Sequence, residues 1–242
     1  MKRPGHVDVW RAATVVEATR LTATGRSLML DVPGWGGNLA GQHADVRLTA
    51  PDGYQAVRSY SIASADDGDR LEIAVDRLPD GEVSPFLVDA IEVGDQVEIR
   101  GPLGGWFVWR PEEIEPVLLI GGGSGVVPLM AMVRAHEAAG SPAPFHLVYS
   151  VRSPDDAFFA EELAGATGVD VTWIYTRRAP SDWPRPAGRL AATDLQALES
   201  SGGQTPSVFV CGPTGFVEAV ADTLVAIGHD PARIKTERFG GA

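Results

Sequence analysis

The chain has 242 residues, a formal charge of -12 from 20 Lys+Arg against 32 Asp+Glu, and 44% hydrophobic residues. It is long enough for one large or two modest domains and too apolar for wholesale disorder. An acidic surface repels phosphate backbones and argues against nucleic-acid binding, and apolar runs such as Val117–Ile120 fall far short of the ~20 residues that span a bilayer. The one cysteine, Cys211, excludes an internal disulfide, a Cys-rich zinc site and a four-thiolate iron–sulfur cluster. Met1–Trp10 is charged and lacks an apolar core, so no secretory signal is visible and a cytoplasmic location is expected.

The first ~110 residues read as strands. Thr14–Val32 is rich in alternating and β-branched residues; Ala44–Thr49, Arg58–Ala63, Arg70–Leu78 and Gln96–Arg100 follow. Turn clusters at Pro33-Gly34, Pro51-Asp52-Gly53, Asp66–Asp69 and Val93-Gly94-Asp95 separate them. A short helix is expected over Pro85–Ile91, with Ser84 as its side-chain cap. Short strands with regular turns predict an antiparallel barrel. After Pro111 the rhythm changes. Strands are expected at Val117–Ile120, Phe145–Tyr149, Val169–Tyr175, Ser207–Cys211 and Arg233–Phe239. Helices are expected near Pro128–Ala139, Asp156–Ala166, Thr193–Leu198 and Thr214–Ile227. This alternation predicts parallel βαβ units in a doubly wound sheet. The expected division is a barrel domain over residues 1–112 and an α/β domain over residues 113–242.

Four strings carry chemistry. In Arg58-Ser59-Tyr60-Ser61, strand alternation puts Arg58 and Tyr60 on one face and Ser59 and Ser61 on the other. An Arg beside a Tyr can hold a phosphate and stack a ring, or can belong to an ordinary half-buried strand. Gly101-Pro102-Leu103-Gly104-Gly105-Trp106-Phe107 permits close backbone approach or serves as a connector. Gly121–Pro128 lies between an apolar strand and a helix. Its N–H groups and the helix start favour a phosphate, and Pro128 suits the first turn. It is not a P-loop, lacking Gly-Lys-Ser/Thr, and Val126 stands at the third glycine of the dinucleotide fingerprint. Val210-Cys211-Gly212-Pro213 ends a parallel strand, where open α/β sheets bind ligands. Cys211 is either a small buried filler or functional. The five histidines show no metal-ligand spacing, and no nucleophile elbow or His-Glu-x-x-His is present.

In sequence order, Arg58-Ser59-Tyr60-Ser61, Gly101-Pro102-Leu103-Gly104, Gly121–Pro128, Cys211-Gly212-Pro213 and the ending Glu237-Arg238-Phe239 resemble the ferredoxin–NADP reductase superfamily across nearly the whole chain. The resemblance implies a stand-alone, ferredoxin reductase-like flavoprotein in which the barrel binds FAD and the second domain NADPH, or NADH. It implies that Arg58 meets the flavin phosphate, Tyr60 stacks on the isoalloxazine and Ser61 approaches N5, with Ser59 in the same string. Ala74, Val75 and Asp76 match a flavin-contacting strand, though the family often has a basic residue at the Asp76 position. Glu82, Val83 and Ser84 match the pyrophosphate loop, which favours FAD over FMN. Gly123, Ser124, Cys211, Gly212 and Pro213 would meet the nicotinamide nucleotide. Thr176 and Arg177, with Arg152, would hold a 2′-phosphate and so favour NADPH. Ser61, Cys211, Glu237 and Phe239 are the candidates at the reacting atoms. Glu237 would relay or position a proton, and Phe239 would cover the flavin face opposite Tyr60 and swing on Gly240-Gly241-Ala242. Hydride chemistry belongs to the cofactors and needs no metal or triad. With one Cys the chain cannot carry the two-iron domain of many relatives, so the electrons are expected to go to a separate acceptor such as a ferredoxin or an oxygenase component. An NAD(P)H:flavin reductase and a non-catalytic nucleotide-binding regulatory subunit are the alternatives. The six Trp residues form no docking stripe.

Overall fold

The computed structural model describes residues 9–199 and 205–239. The chain divides into two compact units: Met1–Arg110 with Met130–Ala135, and Pro111–Leu129 with His136–Ala242.

The first unit holds β1 (Arg11–Arg20), β2 (Gly25–Asp31), β3 (His43–Thr49), β4 (Gln55–Ser61), β5 (Arg70–Asp76) and β6 (Gln96–Leu103). They form one antiparallel six-stranded sheet in the order β4-β3-β6-β1-β2-β5. Alternate residues turn Val15, Leu28, Leu30, Val46, Leu71, Ile73 and Ile99 into a single dry core. The expected barrel is not closed. Among the described residues β4 and β5 are the two ends of the sheet and no ladder joins them. One isolated bridge, Ile62 with Ile73, spans the seam, beside a bond from Ala63 N–H to the Glu72 carbonyl at 2.7 Å.

Two sequence expectations are corrected here. Thr14–Val32 is not one strand but the β1–β2 hairpin, turning at residues 21–24, where the Leu21 and Thr22 N–H groups both reach the Gly25 carbonyl. The helix after Ser84 is one π-turn, Phe86–Ala90, and Ser84 does not cap it. The Ser84 hydroxyl instead accepts from Leu78 N–H at 3.0 Å. Arg26 holds the far end of that turn by donating to the Val88 and Ile91 carbonyls at 3.3 and 2.8 Å.

The second unit contains β7 (Val117–Gly122), α1 (Val126–Ala139), β8 (Phe145–Val151), α2 (Ala160–Gly165), β9 (Val169–Tyr175), α3 (Ala192–Glu199), β10 (Ser207–Pro213), α4 (Thr214–Ala226) and β11 (Ile234–Phe239). The sheet is parallel, in the order β11-β10-β7-β8-β9. Ile120, Val148, Ile174, Val208, Val210, Val217 and Leu224 fill one core. The helix expected over Asp156–Ala166 is broken: a 3₁₀ turn covers Pro154–Asp156, and α2 starts only at Ala160. Burial of the Phe158 and Phe159 rings decides this. Phe159 takes a left-handed φ of 55°, and Phe158 N–H donates to the Tyr149 hydroxyl at 3.0 Å.

Candidate functional site

In the first unit the site is the seam itself. The bridge at Ile62–Ile73 sets an antiparallel register that places Tyr60 across from Val75 and Arg58 across from Arg77. From there outward the facing edges of β4 and β5 are unpaired by any ladder. Edge backbone groups of this kind are donors and acceptors awaiting a partner. Tyr60 is partly buried against the core, and burial pushes its phenol up. Ser61 is half-buried beside it. Ala74 and Val75 are buried, Val75 in the core, so its contribution to the edge is main chain; Asp76 is exposed. Ser59 points the other way. Its hydroxyl donates to Asp45 at 2.6 Å, and Arg100 donates to the same carboxylate at 2.5 Å. Burial opposes ionisation of Asp45, yet these two bonds hold its carboxyl below the usual range.

Arg58 is half exposed and engaged. One terminal nitrogen donates to the Val57 carbonyl at 2.7 Å, and the other to Glu82 Oε2 at 2.5 Å. The Tyr54 hydroxyl donates to Glu82 Oε1 at 2.7 Å. The bond from Tyr54, with Arg58 adding to it, holds the Glu82 carboxyl below its ordinary range. Val83 and Ser84 are buried. The Ser84–Leu78 bond and the Gly81 N–H to Leu78 carbonyl bond fold the 78–84 loop so that Glu82 faces Arg58. A cleft of about 550 Å³ opens beside them, lined by Tyr54, Ala56, Glu82, Phe86, Val97 and Glu98 among others. The sequence reading took Glu82 for its backbone N–H and missed its carboxylate on Arg58, because the contact joins residues 24 apart.

In the second unit the sheet order reverses direction between β7 and β10, and ligands of open α/β sheets bind in the crevice outside the carboxyl ends of such strands. Here the turn after β7 packs tightly on the end of β10. A Cβ on Gly125 would sit 2.3 Å from the Cys211 carbonyl oxygen, and Cβ atoms on Gly122 and Gly212 would both strike the Phe216 ring, at 2.7 and 2.8 Å. The cradle is therefore made of backbone. Gly123 and Ser124 are half-exposed in the 3₁₀ turn that leads into α1, and a Cβ on Gly123 would meet nothing within 4 Å. The 14-residue α1 starts directly after this turn with no side-chain cap, and its positive dipole end suits an anion.

On the other side of this crevice, register pairs Cys211 with Glu237 and Pro213 with Phe239. Burial, and secondarily the Glu237 carboxylate, push the Cys211 thiol well up, so it is a neutral thiol and no nucleophile at neutral pH. Burial pushes the Glu237 carboxyl up to about 7. Phe239 is 37% exposed at the strand end. Gly240-Gly241-Ala242, expected to let it swing, lie outside the described residues.

At the ends of β8 and β9, the Arg177 and Arg178 N–H groups donate to the Arg152 carbonyl at 2.9 and 3.0 Å. This brings Arg152, half-exposed Thr176 and Arg177 together. Arg178 is tied to Asp155. The Arg152 and Arg177 side chains are exposed and make no hydrogen bond or ion pair among the described residues. Among the described residues no helix is long and apolar enough to cross a membrane.

The chain matches the oxidoreductase FAD-binding domain family over residues 12–108 and the oxidoreductase NAD-binding domain family over residues 119–222. It is 34% identical to the reductase subunit of an aromatic O-demethylase from Amycolatopsis, over 94% of this chain and 68% of that one. It is 29% identical to the reductase component of propane 2-monooxygenase from Rhodococcus jostii, over 82% of this chain and 55% of that one; the chain thus spans little more than half of that relative. The flavohem-like FAD/NAD-binding domain of nitric oxide dioxygenase from Vibrio cholerae superposes with a TM-score of 0.83 at 26% identity, over 96% of this chain and 99% of that one.

Proposed function

Because the chain belongs to the ferredoxin–NADP reductase superfamily, we propose that it is an FAD-dependent NAD(P)H oxidoreductase that takes hydride from NADPH, or NADH, and passes electrons to a separate redox acceptor. The observation that carries this reading is the open β4–β5 seam, with Arg58 and Tyr60 along one edge and Ala74–Asp76 along the other. These residues fit a flavin bearing a phosphate: a guanidinium for the anion, an aromatic face for the ring, and unpaired main-chain groups for the ring's polar edge. The cleft beside Tyr54 and Glu82 supports FAD over FMN, since it has room and aromatic edges for a second nucleotide half. Bound flavin supplies the redox chemistry; the protein supplies orientation.

On this reading residues 1–112 hold the flavin and residues 113–242 the nicotinamide nucleotide. Arg58 binds the flavin phosphate, Tyr60 packs on the ring, and Ser61 and the Ala74–Asp76 edge bond its polar rim. The Glu82–Ser84 segment gives main-chain N–H groups to the pyrophosphate. Gly123, Ser124 and Cys211–Pro213 receive the nucleotide, which the all-backbone contact of Gly125 with Cys211 supports. Glu237 holds or moves a proton beside them, and Phe239 gates the nicotinamide. Arg152, Thr176 and Arg177 take the 2′-phosphate, which the two uncommitted guanidinium groups support. The acceptor is an oxygenase component or a ferredoxin, in line with the names of the relatives, and the cytoplasm is the compartment.

A second reading, an NAD(P)H:flavin reductase that releases its flavin, is favoured by one observation: Arg58 is half exposed and its charge is already met by Glu82. Gel filtration of the reconstituted protein separates the two. Stoichiometric flavin in the protein peak, identified after heat release as FAD, supports the first. Protein stripped of flavin that still oxidises NADPH with free flavin supports the second.

A further inference from the structure

The anion seat on Arg58 is filled by the protein's own Glu82. Both terminal nitrogens of the guanidinium are committed, one to the Val57 carbonyl at 2.7 Å and one to Glu82 at 2.5 Å. Three of the five guanidinium N–H groups stay free, so a phosphate can still reach Arg58, but it must do so beside a carboxylate that already shares the positive charge. Glu82 is itself pinned, since Tyr54 donates to its other oxygen at 2.7 Å, and the 78–84 loop behind it is closed by Ser84 and Leu78. The arrangement is an internal carboxylate on the same guanidinium that the proposed function assigns to the flavin phosphate.

We propose that Glu82 competes with the flavin phosphate for Arg58 and thereby sets how tightly this protein holds its flavin. The inference rests on the reading that Arg58 takes that phosphate. Glu82 is then a positioning residue acting through Arg58: it holds the guanidinium in place and is displaced, with Tyr54, when the phosphate arrives. A carboxylate left nearby still repels the phosphate, so both effects lower affinity, and both act only on ligands that carry a phosphate.

The test is titration of apo-protein with FAD, FMN and riboflavin, followed by flavin fluorescence, for wild type, Glu82→Gln, Arg58→Ala and the double variant. Removing an exposed ion pair and a like charge predicts FAD and FMN binding roughly threefold to tenfold tighter in Glu82→Gln, with riboflavin unchanged. In the Arg58→Ala background the same substitution should have a clearly smaller effect. Tyr54→Phe, which unpins Glu82 and leaves every charge in place, should tighten FMN in the same direction by a smaller factor. FAD binding that is equal or weaker in Glu82→Gln overturns the proposal, and so does riboflavin tightening as much as FAD, since that reports a repacked loop. Arg58→Ala binding FAD as wild type does would instead overturn the underlying assignment of Arg58.

Discussion

Glu237 offers a prediction whose size follows from its surroundings. Its carboxyl rises from the usual 4.5 to about 7 because burial penalises the anion. The folded protein therefore binds this proton more tightly than the unfolded chain does. Between pH 4.5 and 7 the native state carries more protons, so stability falls as pH rises through that window and levels off above it. A displacement of about 2.5 pH units at about 1.4 kcal/mol each amounts to about 3 kcal/mol of stability lost by pH 8. Glu237→Gln keeps the shape and removes the titration. Its urea midpoint should match wild type near pH 4.5 and exceed it progressively up to pH 8, with unchanged slope in denaturant. Wild-type and Glu237→Gln curves that run parallel from pH 4.5 to 8 would falsify the assignment of a buried, proton-holding carboxyl at this position.

Three further outcomes are expected. Gly125→Ala drives a Cβ to 2.3 Å from the Cys211 carbonyl and should cost about 3 kcal/mol or more. Gly123→Ala, in open space at φ 56°, should cost only about 1 kcal/mol; equal thermal shifts for the two would contradict the close contact of Gly125 with the end of β10. Arg177→Ala should lower kcat/KM for NADPH about tenfold or more while sparing NADH, and an equal loss for both nucleotides would show that the arginine serves no 2′-phosphate. Phe239→Ala should change nicotinamide nucleotide affinity and the rate of flavin reduction with FAD still bound; stopped-flow traces identical to wild type would make the ring a simple plug at the strand end.

The fold was legible wherever local pattern decides it. Val169–Tyr175 emerges with the bounds expected, β7, β8 and β10 each run about two residues past the expected end, and β11 starts one residue later than expected, because buried strands read as apolar runs between turn residues. What escaped was set by distant contacts. The β1–β2 turn contains no Gly or Pro between Leu21 and Thr24, so nothing local marked it. The late start of α2 follows from burial of Phe158 and Phe159, a tertiary effect that overrides helix propensity. Ser84 reads as a cap, yet its hydroxyl serves Leu78, six residues back. Of the site, the glycine string announced a βα turn, but not that Gly122 and Gly212 both make room for Phe216. Arg58 and Tyr60 were visible as a pair on one strand face, whereas the open seam they border and the Glu82 carboxylate on Arg58 depend on pairings no local pattern records.

The proposed activity carries electrons from a nicotinamide nucleotide to a flavin held at the β4–β5 seam and then to a separate acceptor. Anaerobic mixing of the FAD-reconstituted protein with one equivalent of NADPH, followed by an oxidised ferredoxin or oxygenase component, tests it most directly. The flavin absorbance should bleach on the first addition and return on the second, and Arg58→Ala, carried through the same steps, should lose the protein-bound flavin signal. A protein that takes up no flavin, or whose bound flavin stays oxidised with both NADPH and NADH, contradicts it.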